Sequence, residues 1–124
     1  MESLFVEGTN KTPTIISDYE KGLIEIRGRS SPENSTMFFK SLMDWIEQYV
    51  TQPAIKTVVN VHLEHFNTSS SKCFLDMFKK LEAITKSSNE IVINWFYETD
   101  DEDMLEAGET YESMTKIPFN MIRY

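Results

Sequence analysis

Four consecutive hydroxyl side chains, Thr68-Ser69-Ser70-Ser71, stand between Asn67 and Lys72, directly after an apolar run that ends at Phe66. A helix-periodic segment follows from Lys72 to Thr85, so the string is expected at a junction where a strand delivers the chain to the start of a helix. The first N–H groups of a helix lack intrahelical partners, and its dipole favours negative charge there. A hydroxyl at such a point either caps the helix or accepts a phosphate that the helix end then holds. The string is longer than a cap requires, and strand-to-helix loops of open α/β sheets are where ligands collect. Lys72, one turn on from Thr68, is placed to help hold a phosphate. No Gly-rich phosphate loop accompanies it, so nucleotide binding by this segment is not supported.

Other reactive side chains offer less. His62 and His65, three apart on a strand, point to opposite faces and cannot be joint metal ligands without a bulge. Cys73 is expected as a small buried apolar residue rather than a nucleophile. Asp100, Asp101 and Asp103 lack the glycine and the terminal glutamate of a calcium loop. No Ser/His/Asp set and no paired carboxylates can be assembled, so an enzyme is not expected. No cofactor or metal is called for.

The elements that must position the hydroxyl string follow from periodicity. Thr14-Ile15-Ile16 and Leu23-Ile24-Glu25-Ile26-Arg27 read as two strands of a hairpin, with Asp18 to Gly22 as its turn. Ser31-Pro32 fits the N-cap and first position of a helix, with Asn34 or Ser35 as later caps. Phe38, Leu42, Trp45 or Ile46, and Tyr49 mark one apolar face of that helix, which Thr51-Gln52-Pro53 ends. Residues 57–66 form a strand with Val59, Val61 and Leu63 on one side and Val58, Asn60, His62 and Glu64 on the other. Phe74, Met77 or Phe78, Leu81 and Ile84 give a second amphipathic helix. Ile91 to Tyr97 reads as a strand covered by helices. Thr99-Asp100-Asp101-Glu102 fits a capping box for a third helix, and residues 118–122 a last strand. The order is β-β-α-β-α-β-α-β, an α/β fold with a mixed β-sheet of about five strands and helix-linked strands parallel through right-handed crossovers.

The chain has 124 residues, enough for a single domain (1–124) with its own core. It is 40 % hydrophobic and 26 % charged, with 8 Phe, 5 Tyr and 2 Trp as bulky core material. No apolar run approaches the roughly 18 residues of a membrane span, so no membrane insertion is expected. The first residues lack the basic segment of a signal peptide, and a lone cysteine fits a reducing compartment; a cytoplasmic protein is expected. The net charge is −8, and eight acidic but no basic residues lie between Glu98 and Glu112. Such a surface repels nucleic acid and anionic lipid, and favours a protein partner.

Gly28-Arg29-Ser30-Ser31-Pro32-Glu33-Asn34-Ser35, Asp44-Trp45-Ile46-Glu47-Gln48-Tyr49, Phe66-Asn67-Thr68-Ser69-Ser70-Ser71-Lys72, and Trp95-Phe96-Tyr97 with the acidic run Asp100 to Glu109 together resemble the SiaC family of bacterial regulatory phosphoproteins. The likeness runs from about Thr12 to Phe119. Ser31 departs from it, because an aromatic residue is expected before Pro-Glu-Asn-Ser. The resemblance implies a fold like that of anti-sigma-factor antagonist (STAS) domains. It also implies a non-enzymatic partner switch, with Thr68 phosphorylated by a cognate Ser/Thr protein kinase and dephosphorylated by a PP2C-type phosphatase. The unphosphorylated form would bind and activate a diguanylate cyclase, in cyclic di-GMP signalling and biofilm formation. Asn67, Ser69, Ser70 and Lys72 would shape the phosphosite; Pro32, Glu33 and Asn34 with Asp100, Asp101 and Glu102 would touch the partner. The alternative is an antagonist that binds an anti-sigma kinase and is phosphorylated at Ser69 or Ser70.

Overall fold

The computed structural model describes residues 1–124. The hairpin forms as its turn chemistry requires. Strands β2 (Thr14–Asp18) and β3 (Leu23–Ser30) pair antiparallel, and Gly22 sits at a φ of +64°, which favours glycine. Asp18 Oδ1 closes the turn by accepting from the Lys21 amide at 3.1 Å. Outside it lies a strand the sequence did not announce, β1 (Leu4–Val6), antiparallel to β2. Only three residues long, it carries too little alternation to be read as a strand by itself. The Trp45 indole helps hold the segment by donating to the Glu2 carbonyl at 2.8 Å. The sheet therefore has six strands rather than about five.

From β3 onward the chain alternates helix and strand: α1 (Ser35–Phe38), α2 (Lys40–Tyr49), β4 (Lys56–Phe66), α3 (Thr68–Leu81), a 3-10 turn (Glu82–Lys86), β5 (Glu90–Tyr97), α4 (Glu102–Met114) and β6 (Phe119–Arg123). Strands β3 to β6 are parallel, and the order across the sheet is β1-β2-β3-β4-β5-β6. When strand order follows chain order, crossovers of one hand lay every helix on the same face. The helices expected to cover Ile91–Tyr97 therefore cover it on one side. Ile91, Ile93 and Trp95 are buried, while Val92, Asn94 and Phe96 face the other way and are only half-buried. The helix-free face carries a cross-strand amide row. Asn120 donates to Asn94 at 3.1 Å, Asn94 to Asn60 at 2.9 Å, and Asn60 to Glu25 at 3.5 Å.

The helices start and stop slightly differently from the pattern. Asn34, one of three candidate caps, caps α1 by accepting from the Met37 amide at 3.1 Å. The single helix expected before Thr51-Gln52-Pro53 has a joint at Phe39, whose ring is fully buried edge-on to Phe38 and Phe74. Leu42, Trp45, Ile46 and Tyr49 then face the core as their spacing requires. Helix α4 is capped by Asp101, which accepts from the Met104 amide at 3.0 Å, and not by Thr99, whose hydroxyl donates to the Tyr124 carbonyl. Gly108 brings α4 down onto β5. A Cβ at that position would lie 2.5 Å from Trp95 Cδ1, and the Trp95 indole donates to the Met104 carbonyl at 2.8 Å.

Candidate functional site

The hydroxyl string lies at the carboxyl end of β4, but it is not a loop ahead of the helix. Helix α3 begins at Thr68, so the string is its first turn. Asn67 is the cap: its Oδ1 accepts from the Ser70 amide at 2.8 Å. Its amide donates to the Ser30 carbonyl at 2.9 Å, and its Nδ2 donates to the Pro32 carbonyl at 3.4 Å. With the cap supplied by Asn67, the four hydroxyls are released for other work, and they divide it unequally.

Ser70 is wholly buried. Its Oγ lies 2.8 Å from Ser30 Oγ and 3.4 Å from Ser35 Oγ, and donates to the Ser30 carbonyl at 3.2 Å. No kinase reaches it without unfolding the helix start, which corrects its place as an alternative acceptor. Ser69 is exposed as a residue, yet its Oγ is held 2.7 Å from Ser35 Oγ and donates to Asn67 Oδ1 at 3.2 Å. Ser71 donates back along its own helix to the Thr68 carbonyl at 2.6 Å. Thr68 is exposed and its hydroxyl makes no intramolecular hydrogen bond. The Thr68 and Ser69 amides, at the positive end of a 14-residue helix, also have no intramolecular acceptor. Lys72 follows one turn later, exposed on the same helical face. An anion on Thr68 would thus meet unpaired N–H donors, the helix dipole and a nearby ammonium.

The first turn of α3 is braced from the other side as well. Tyr111 of α4 donates its hydroxyl to the Ser71 carbonyl at 2.8 Å, and burial pushes its pKa far up, so it stays a protonated donor. The residues expected at a partner contact fall on both sides of this turn. Pro32 is buried against Asn67, with Glu33 and Asn34 exposed beside it. Asp100 and Glu102 are exposed at the start of α4, and Asp101 is partly buried there as its cap. All three segments follow parallel strands (β3, β4 and β5) and so share one edge of the sheet.

The remaining candidates are dispersed. His62 lies on the helix-free face, stacked on Phe96 at 4.9 Å and edge-on to Tyr124 at 4.6 Å. Burial, helped by Arg27, lowers its pKa from the ordinary histidine value. A register shift opposite Gly28/Arg29 skips Glu64, so a bulge does separate His62 from His65. His65 nevertheless lines a different depression, beside Asp101 and Asp103. Cys73 is buried and its thiol pKa is raised, first by burial and then by Asp76, which leaves it unreactive. No group of three or more His, Cys, Asp or Glu side chains is arranged to hold a metal ion. No helix is long and apolar enough to cross a membrane. Sequence reasoning missed Ser30 and Ser35, the two hydroxyls that decide the roles of Ser69 and Ser70. Their only signal is that each sits at the end of an element next to a Pro-containing loop.

The chain is similar to known proteins in sequence and in fold. The family model described as SiaC family regulatory phosphoprotein matches residues 6–124. An uncharacterized protein of Pseudomonas aeruginosa (strain UCBPP-PA14) is 29% identical over 119 residues, covering 96% of this chain and 94% of that relative. The solved structure of SiaC of Pseudomonas aeruginosa superimposes with a TM-score of 0.91 at 27% identity, covering 100% of both chains. A chain in the crystal structure of diguanylate cyclase SiaD in complex with its activator SiaC, from the same organism, gives a TM-score of 0.91 at 28% identity, over 98% of this chain and 99% of that one.

Proposed function

The chain belongs to the SiaC family, and from that premise we propose that it is a phosphorylation-controlled activator of a diguanylate cyclase, switched at Thr68. The observation that carries this reading is the exposed, uncommitted Thr68 hydroxyl at the start of α3, in a string whose other hydroxyls are engaged. The unphosphorylated chain binds the cyclase and raises cyclic di-GMP; phosphorylation releases it. A cognate Ser/Thr kinase and a PP2C-type phosphatase set the balance in the cytoplasm, and residues 1–124 act as one regulatory domain with no catalysis of its own.

Each neighbour of Thr68 has a defined part in this proposal. Asn67 fixes the helix start, Ser70 anchors it to β3, Ser69 ties it to α1, and Lys72 partners the phosphate. Pro32, Glu33 and Asn34 on one flank and Asp100, Asp101 and Glu102 on the other contact the partner. A phosphate adds about −1.5 to −2 charges and three strong acceptors. The helix end has donors ready for it. A partner surface packed over Thr68 would have to bury that charge without prepared donors, and so the complex fails while the fold survives.

Mass spectrometry after incubation with the cognate kinase and ATP tests the acceptor. Wild type is expected to gain a single phosphate on the Thr68 peptide, and Thr68→Ala to gain none. A phosphate that persists on Ser69 or elsewhere in Thr68→Ala, with cyclase binding still phosphorylation-sensitive, would move the switch to another residue.

A further inference from the structure

The helix-free face of the sheet carries a cleft. Two adjoining depressions form it, about 340 Å³ and about 250 Å³, and Arg27 and His62 line both. Strand alternation puts these side chains there: Arg27 sits opposite His62 and Glu25 opposite Asn60, while Ile26 and Val61 between them are buried under the helices. The smaller depression adds Glu25, Asn60 and Phe96. The larger adds Glu64, Glu98 and Tyr124. The bulge that skips Glu64 lies at the larger depression, beside Gly28, whose φ of +108° favours glycine.

The charges of this cleft are of both signs and uncommitted. The Arg27 guanidinium makes no ion pair and no hydrogen bond. Glu64 reaches Arg29 only at 3.7 Å, Glu25 accepts from Asn60 only at 3.5 Å, and the Glu98 carboxylate has no partner. His62 adds no charge near neutrality, because burial and then Arg27 hold its pKa below the ordinary histidine value. The Tyr124 pKa is raised, first by burial and then by Glu98 and Glu64, so both carboxylates lie near that ring. The order along the cleft is therefore negative at Glu25, positive at Arg27, and negative again at Glu64 and Glu98.

We propose that this cleft binds a free basic α-amino acid, of the lysine, ornithine or arginine type, which carries the complementary order of charges. Its carboxylate pairs with Arg27, whose planar fork suits a carboxylate. Its α-ammonium meets Glu25, and its side chain runs along the larger depression to bring the second cation to Glu64 and Glu98. The Tyr124 ring adds a cation–π attraction there. An acidic amino acid would set a second carboxylate against Glu64 and Glu98, and a diamine would leave Arg27 without an anion. Because Arg27 takes the α-carboxylate, the ligand is a free amino acid and not a residue inside a chain. The cleft lies across the sheet from every helix, so this site does not depend on the switch at Thr68.

Nuclear magnetic resonance titration of the isotope-labelled chain tests the site, with L-lysine, L-ornithine and L-arginine as ligands and cadaverine, L-norleucine and L-glutamate as controls. At least one basic amino acid is expected to give saturable shifts centred on the Arg27, His62 and Glu98 amides, at concentrations below about 10 mM. Cadaverine, L-norleucine and L-glutamate should each bind at least about tenfold more weakly than that ligand. Arg27→Gln and Glu98→Gln should each weaken its binding by about tenfold or more, with Tm unchanged, since both side chains are already in solvent. Glu98→Gln should also narrow the preference for L-lysine over L-norleucine, a change that a merely structural effect would not produce. No saturable shift with any of the three basic amino acids overturns the site. So does cadaverine or L-norleucine binding as tightly as L-lysine, or an Arg27→Gln chain that binds like wild type.

Discussion

At the scale of single residues, the central fact is that Asn67 caps α3 and frees the hydroxyls behind it. Asn67→Ala is expected to cost about 1 kcal/mol in urea unfolding, the usual worth of an N-cap. Ser70→Ala should cost about 1–2 kcal/mol, because it strands the buried Ser30 hydroxyl that Ser70 partners. A Ser70→Ala variant as stable as wild type would mean the buried serine cluster contributes nothing. The opposite sign is expected at Ser17, wholly buried with an unsatisfied hydroxyl. Ser17→Ala should leave stability unchanged or raise it by about 1 kcal/mol, and a clear loss would show that its oxygen has a partner after all. The sequence exposes the hydroxyl string but cannot rank its members. What ranks them is contact with Ser30 and Ser35, and Ser30 lies 40 positions earlier in the chain. No local pattern encodes that contact.

At the scale of elements, the long periodic segments were legible because burial on one face leaves a regular trace. Val59, Val61 and Leu63 alternate as a half-buried strand must, and Leu42, Trp45, Ile46 and Tyr49 recur as a helix face must. The misses have physical causes. A run of Ser and Thr has weak helix propensity and reads as loop, so α3 starts four residues sooner than its apolar stripe suggests. Strand β1 forms against the edge that β2 offers it, a pairing its own three residues do not announce. Thr99 and Asp101 are equivalent caps by type, and the chain's return to β6 engages Thr99 elsewhere. Gly108 is where α4 packs tightly on β5. Gly108→Ala is expected to destabilise by about 1–3 kcal/mol, since the new methyl meets the Trp95 ring and α4 must lift from β5. Faster amide exchange along α4 should accompany the loss; unchanged exchange and stability would place the two elements further apart.

At the scale of the whole molecule, strand order sends every helix to one face and leaves the other to the amide row and to His62. Burial depresses the His62 pKa, so the folded state prefers the neutral ring. Stability from this group is fully present above the unfolded histidine value of about 6.5 and is lost as pH falls through the folded value. The urea midpoint of wild type should therefore drop more between pH 7 and pH 5 than that of His62→Phe; equal drops would remove the histidine from the balance. The carboxyl end of the sheet gathers Pro32, Thr68 and Asp101, which follow three separate strands. A switch there requires a phosphate to be tolerated by the fold and rejected by the complex. The most direct measurement compares stoichiometrically Thr68-phosphorylated and unphosphorylated chain, for cyclase affinity by calorimetry and for Tm by scanning. The expected result is a loss of about 3 kcal/mol in binding, more than about a hundredfold in Kd, with Tm unchanged within about 3 °C. Equal affinity of the two forms, or a loss that tracks a collapse in Tm, would contradict it.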